Sequence, residues 1–160
     1  MTPKPLLLLD LHYTFAIDEP WHRGTRLSTR IPREQYRPWI INLARDYEAT
    51  VLLTTARPER YAEITLDHIS EACSGWQPHG AYFRQIDGEP HVGKEDNLRR
   101  IIADHGEPGT HWIGFESNSK TRAMYRRYGI YSLPVHRLEV PLASWPVNPE
   151  TSDADPFTLP

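Results

Sequence analysis

Apolar residues fall along this chain in two rhythms. Short unbroken runs alternate with longer stretches in which large apolar side chains return every three or four positions. An unbroken run suits a strand covered on both faces, so strands are expected over residues 6–10 (LLLLD), 50–54 (TVLLT), 81–83 (AYF) and 111–115 (HWIGF), with a last one beginning in IYSLPV. The helical spacing predicts helices over 33–47, 59–73, 94–105 and 119–129. Tyr36, Ile40, Leu43 and Ala44 share one face of the first, which has Pro38 near its start, and Gly129 closes the last. Tyr125, Arg126 and Arg127 are expected on a solvated or half-buried face of that last helix. Residues 15–32, with Pro20, Gly24 and Pro32, read as an irregular loop or small hairpin. The predicted domain covers residues 1–137. Residues 138–160, with five prolines and little periodicity, are expected to form an extended or partly disordered tail.

Strands alternating with helices imply a three-layer, Rossmann-like α/β fold, a parallel sheet with helices on both faces. In such folds the ligand lies outside the carboxyl ends of the strands. The polar residues there become the candidates: Asp10, His12 and Thr14 after the first strand, Thr54, Thr55 and Arg57 after the second, Arg84 after the third, and Glu116, Ser117 and Asn118 after the fourth. Lys94 opens the helix that leads into the fourth strand. A carboxylate, a hydroxyl, cations and a second carboxylate are what phosphoryl transfer through an aspartyl intermediate requires.

Composition narrows the partners. The net charge of −3, from 18 basic and 21 acidic residues, makes no case for nucleic-acid binding by the whole surface, though a local basic pocket stays open. Cys73 is the single cysteine, so an internal disulfide is excluded and a reducing compartment fits. LLLL is too short to span a bilayer and is poorly flanked for a signal peptide, so no membrane partner is expected and the cytoplasm is the expected location. The eight histidines show no zinc-ligand spacing such as HExxH.

The chain resembles the haloacid dehalogenase (HAD) superfamily. LLLLDLHYT is similar to its first motif, hhhhDxDxT, and VLLTTARP to its second, an apolar strand ending in Thr or Ser. Lys94 falls where the third-motif lysine belongs, and WIGFESNSKTRAMYRRYGI is similar to the fourth motif. Within the superfamily, TTARPE, YFRQIDGEPHVGKEDNL and NSKTRAMYRRYGI look most like the phosphatase domain of phage polynucleotide kinase-phosphatases, over residues 6 to about 135. No Gly-rich Walker sequence is present, so no kinase domain is expected in this chain.

The resemblance implies a Mg²⁺-dependent phosphatase with little or no cap domain, acting on a nucleotide or a nucleic-acid terminal phosphate. Asp10 would be the nucleophile, with Thr55 and Lys94 on the transferring oxygens. Asp10, Glu116 and the carbonyl of His12 would hold the metal, with Ser117 at the position of the second acid. Arg57, Arg84, Arg23 and Thr14 are the candidates for gripping substrate. Two residues depart from the pattern: His12 replaces the family's general-acid aspartate, and Ser117 replaces the second acid of the fourth motif. Histidine can exchange a proton near neutral pH, whereas a serine hydroxyl is a weaker ligand for Mg²⁺ than a carboxylate. An open cleft admits a large substrate, or is closed by a partner such as a second copy of this chain. A second functional class therefore stays open, a HAD-like protein with weak or no turnover that binds a phosphorylated ligand or a protein partner. His12 and Ser117 favour that class; Asp10, Thr14, Thr55, Lys94 and Glu116 oppose it.

Overall fold

Leu7, Leu8 and Leu9 are inaccessible to solvent because they form the middle of a sheet. A computed structural model of the chain describes residues 3–17 and 25–135. The expectations for Arg23 and for the tail from 138 onward lie outside the described residues. The strands are β1 (Leu6–Leu9), β2 (Thr50–Pro58), β3 (Gly80–Arg84), β4 (Trp112–Phe115) and β5 (Tyr131–Leu133). The helices are α1 (Leu27–Arg30), α2 (Pro38–Asp46), α3 (Ala62–Ala72), α4 (Pro90–His105) and α5 (Ser119–Arg127). All neighbouring strands pair in parallel, in the order β3-β2-β1-β4-β5.

Both faces of β1 are covered, which is why its apolar run has no alternation. Leu7 and Leu9 pack with Ile40, Leu43 and Ala44 of α2 and Ile69 of α3. Leu6 and Leu8 pack with Leu98 and Ile101 of α4 and Met124 and Tyr125 of α5. Truncating a leucine in such a layer costs about 2–5 kcal/mol. Tyr125 departs from its expected half-exposed place and is fully buried. Gly114 of β4 makes the room, since a Cβ there would come within 3.2–3.3 Å of the ring.

Two element boundaries matter for the site. Pro90 begins α4 at a first-turn position, where its missing N–H has no intrahelical partner to lose. Lys94 therefore sits on the second turn of the helix rather than opening it. The segment read as a loop or small hairpin is tied back to the domain: Ala16 bridges Tyr36 antiparallel, with Ile17 N–H to the Gln35 carbonyl at 2.8 Å and Arg37 N–H to the Phe15 carbonyl at 2.9 Å. No helix among the described residues is long and apolar enough to cross a membrane.

The strand order fixes where chemistry can occur. From β1 the chain winds outward to β2 and β3, then returns to the other side of β1 for β4 and β5. The crevice at that switch point is where such sheets hold ligands. Leu9 lies beside Leu53 on one side and Phe115 on the other. The next residues after β1 and β4, Asp10 and Glu116, thus leave the sheet on either side of that switch point, with Thr54 beside Asp10 still within β2.

Candidate active site

Asp10 and Glu116 reach the same ammonium. Lys94 Nζ contacts Asp10 Oδ1 and lies 2.5 Å from Glu116 Oε2, and all three side chains are buried. Asp10 is held at its other oxygen as well. Oδ2 accepts the hydroxyls of Thr14 at 2.8 Å and Ser117 at 3.0 Å. The Ser117 hydroxyl also stands 3.1 Å from the His12 carbonyl. Glu116 Oε1 accepts the Asn118 N–H at 3.0 Å. A cleft of about 170 Å³ opens above this floor, bounded also by His12, Tyr13, Thr55, Ala56 and Pro90.

The loops that carry these groups are held by further polar residues, of which Asn97 and Arg122 are absent from the expected site. Asn97 is fully buried on α4, and its amide donates to the Thr54 hydroxyl at 3.2 Å and to the carbonyls of Thr55 and Tyr82, both at 3.0 Å. Arg122 donates to the carbonyls of Glu116 at 3.0 Å and Ser117 at 2.8 Å. The Asn118 side chain caps α5, accepting from Lys120 N–H and Thr121 N–H. Nothing in the local sequence singled out Asn97 or Arg122; the spacing of NSKTR before a helix could have identified Asn118 as a cap.

Three expected substrate contacts are corrected. Thr14 turns its hydroxyl onto Asp10, so it orients the carboxylate instead of gripping substrate. Arg57 is buried, and its guanidinium is engaged by Glu34 at 2.5 and 3.1 Å, the Thr65 hydroxyl at 2.9 Å and His12 Nε2 at 3.4 Å. Both its Nη groups are committed to protein groups. Arg84 lines a different hollow, with Pro58, Glu59 and Arg60, and its stem folds over Gly93, where a Cβ would come within 2.9 Å of it. Thr55 does line the cleft; its hydroxyl oxygen accepts the Arg57 N–H at 3.0 Å, which leaves the hydroxyl proton free to donate.

The charge balance of the floor is uneven, with two carboxylates to one ammonium. Burial pushes Asp10 up, but the Lys94 charge and the hydrogen bonds from Lys94, Thr14 and Ser117 outweigh it and hold the group below its ordinary value. Burial, then the charge of Asp10, pushes Glu116 up to about 8, against the pull of Lys94. Burial lowers Lys94, yet the two carboxylates more than reverse this and its ammonium is held above the ordinary value. His12 is lowered, first by burial and then by the Arg57 charge, so its ring is neutral at neutral pH.

Two buried carboxylates sharing one ammonium fit a divalent cation, which would favour the ionised form of Glu116. Among the described residues no group of three or more His, Cys, Asp or Glu side chains is placed to hold a metal. Asp10, Glu116 and the His12 carbonyl would nevertheless supply three hard oxygens, with waters for the rest, which suits Mg²⁺. Ser117 spans Asp10 Oδ2 and the His12 carbonyl as a hydrogen-bonding hydroxyl, so it adds no charge to this set.

No family model matches the chain, and no curated protein matches it. Among solved structures, the fold is similar to that of a phosphoserine phosphatase captured as an analogue of its phospho-aspartyl intermediate. That likeness has 12% sequence identity and a TM-score of 0.52, and covers 87% of this chain and 92% of the other. The architecture is therefore a Rossmann-like parallel sheet with helices on both faces, a fold shared with that phosphatase.

Proposed function

We propose that this chain is a Mg²⁺-dependent phosphatase that hydrolyses phosphoric monoesters through an aspartyl-phosphate on Asp10. The observation that carries the reading is the buried cluster of Asp10, Lys94 and Glu116 at the topological switch point. A carboxylate oxygen of Asp10 attacks phosphorus as the ester P–O bond breaks, and the leaving oxygen keeps the electron pair and takes a proton from water. Thr55 donates its hydroxyl to a transferring oxygen. Lys94 spends two of its three N–H donors on Asp10 and Glu116, which leaves one for the same phosphoryl group. Water then attacks phosphorus with its proton passing to the neutral His12 ring, which restores the Asp10 carboxylate and releases inorganic phosphate. Mg²⁺ held by Asp10, Glu116 and the His12 carbonyl would neutralise charge on the phosphoryl oxygens.

The substrate class we assign is a nucleotide or a nucleic-acid end, on the strength of the motif resemblance to the phage phosphatase domains. Release of phosphate from p-nitrophenyl phosphate, with and without Mg²⁺ and with Asp10→Asn as control, tests the reaction. Mg²⁺-dependent release lost in that variant supports it. The second reading is a phospho-ligand binder with little turnover, and Ser117 in place of an acid favours it. Vanadate or phosphate binding without release from any of a broad panel of esters would establish that alternative.

A further inference from the structure

Tyr13 has a backbone conformation that suits glycine. Its φ is +61°, in the left-handed region, and for a bulky residue this costs about 1–3 kcal/mol. Two other described non-glycine residues share the region, Glu48 and Ser74. Each lies two residues beyond the end of a helix, α2 or α3, where a left-handed residue is an ordinary terminator. Tyr13 ends no such helix. It stands between His12 and Thr14 in the turn leaving the nucleophile's strand. Nor does burial of the ring offset the strain, since the residue is 49% exposed and meets the His12 ring only in a tilted contact with centroids 6.2 Å apart.

The cleft above Asp10 is graded. Its buried wall is polar: Asp10, Thr55, Lys94 and Glu116. Its more exposed lining mixes polar His12, Ser117 and Asn118 with the ring of Tyr13 and the small apolar surfaces of Ala56 and Pro90. Among the described residues Lys94 is the only Lys or Arg lining it. An ester whose phosphate reaches the floor therefore brings the rest of the molecule against an aromatic ring and small apolar surfaces.

We infer that Tyr13 is a specificity-determining residue whose exposed ring is the platform for a planar aromatic group on the leaving side of the ester. The inference rests on the phosphatase reading for the position of the phosphate. Stacking on such a ring is worth about 1–3 kcal/mol per base, so the preference over an aliphatic ester is roughly tenfold in affinity.

The test is calorimetric titration of the Asp10→Asn protein, with Mg²⁺ present, against adenosine 5′-monophosphate and ribose 5-phosphate. The nucleotide is expected to bind roughly tenfold tighter. Adding Tyr13→Gly should abolish that preference while the sugar phosphate keeps its affinity, and Tyr13→Phe should retain the preference. Circular dichroism melts of Tyr13→Gly, expected at or above the parent temperature because the strain is relieved, exclude simple misfolding. With Asp10 intact, Tyr13→Gly should raise KM for the nucleotide and leave kcat unchanged. The inference is overturned if the two ligands bind alike, or if Tyr13→Gly keeps the preference or weakens both ligands equally. In those cases the sugar phosphate still binds and the phosphatase reading survives. Failure of both ligands to bind would remove the phosphate site itself, and this inference with it.

Discussion

Glu34 and Arg57 clasp each other beside His12, Oε2 to Nη2 at 2.5 Å and Oε1 to Nη1 at 3.1 Å, with both side chains buried. The pair ties the segment after α1 to the end of β2, and the Glu34 carbonyl is tied again to α3 by the His68 ring at 2.8 Å. Removing one partner of a buried ion pair strands the other, so Glu34→Ala should lower stability by about 3–5 kcal/mol. Urea unfolding measures this. In Arg57→Lys, KM for an aryl phosphate should change by no more than about twofold, whereas a true phosphate contact would raise it far more.

Replacing the bridging ammonium should be as severe. Lys94→Ala leaves Asp10 and Glu116 buried together without a cation, and a loss of about 3–5 kcal/mol is expected in a chelator-containing buffer. Saturating Mg²⁺ should restore part of that stability by binding the folded state alone. A denaturant series with EDTA or excess Mg²⁺ measures both effects.

The pH dependence of the metal-free protein follows from Glu116. Its folded value, about 8, lies above the 4.5 of an ordinary glutamate. Between these values the folded chain holds a proton that the unfolded chain has released, so stability falls as pH rises through the window. Melting temperature in EDTA should decline from about pH 5 to pH 8 by this mechanism, more steeply than in Glu116→Gln. Excess Mg²⁺ should flatten the wild-type curve, because it stabilises the ionised carboxylate.

A neutral His12 is a poor donor to a leaving oxygen. Turnover should therefore depend steeply on leaving-group basicity, with nitrophenyl esters far ahead of alkyl esters. His12→Asp should narrow that gap, raising alkyl-ester turnover by up to about a hundredfold if the new carboxyl serves as an acid. Initial rates across a series of substituted phenyl and alkyl phosphates decide it. An unchanged slope would show that residue 12 does not govern protonation of the leaving group.

The sheet was legible because its strands are short apolar runs buried on both faces, and that pattern is local. Asp10, Lys94 and Glu116 were also legible, since each follows or precedes an apolar element that fixes its place. The beginning of α4 was misjudged because EPHV, before Gly93, carries no apolar rhythm, and Pro90 was not read as a first-turn residue. Arg57 was assigned to substrate because its partner Glu34 lies 23 residues away in a stretch without periodicity. Asn97 escaped for a similar reason: its three acceptors come from β2 and β3, and only the packed structure reveals a buried amide with so many partners.

The central place of β1 has a consequence for how the molecule is made. Leu6 pairs with Thr50 on one side and Trp112 on the other. The first strand synthesised must wait for a segment more than a hundred residues downstream before its second edge is covered. Such long-range parallel pairing is slow to form and leaves apolar edges open meanwhile. A ribosome-bound fragment ending before β4 would display Asp10 without its acidic counterpart, a carboxylate born early and completed late.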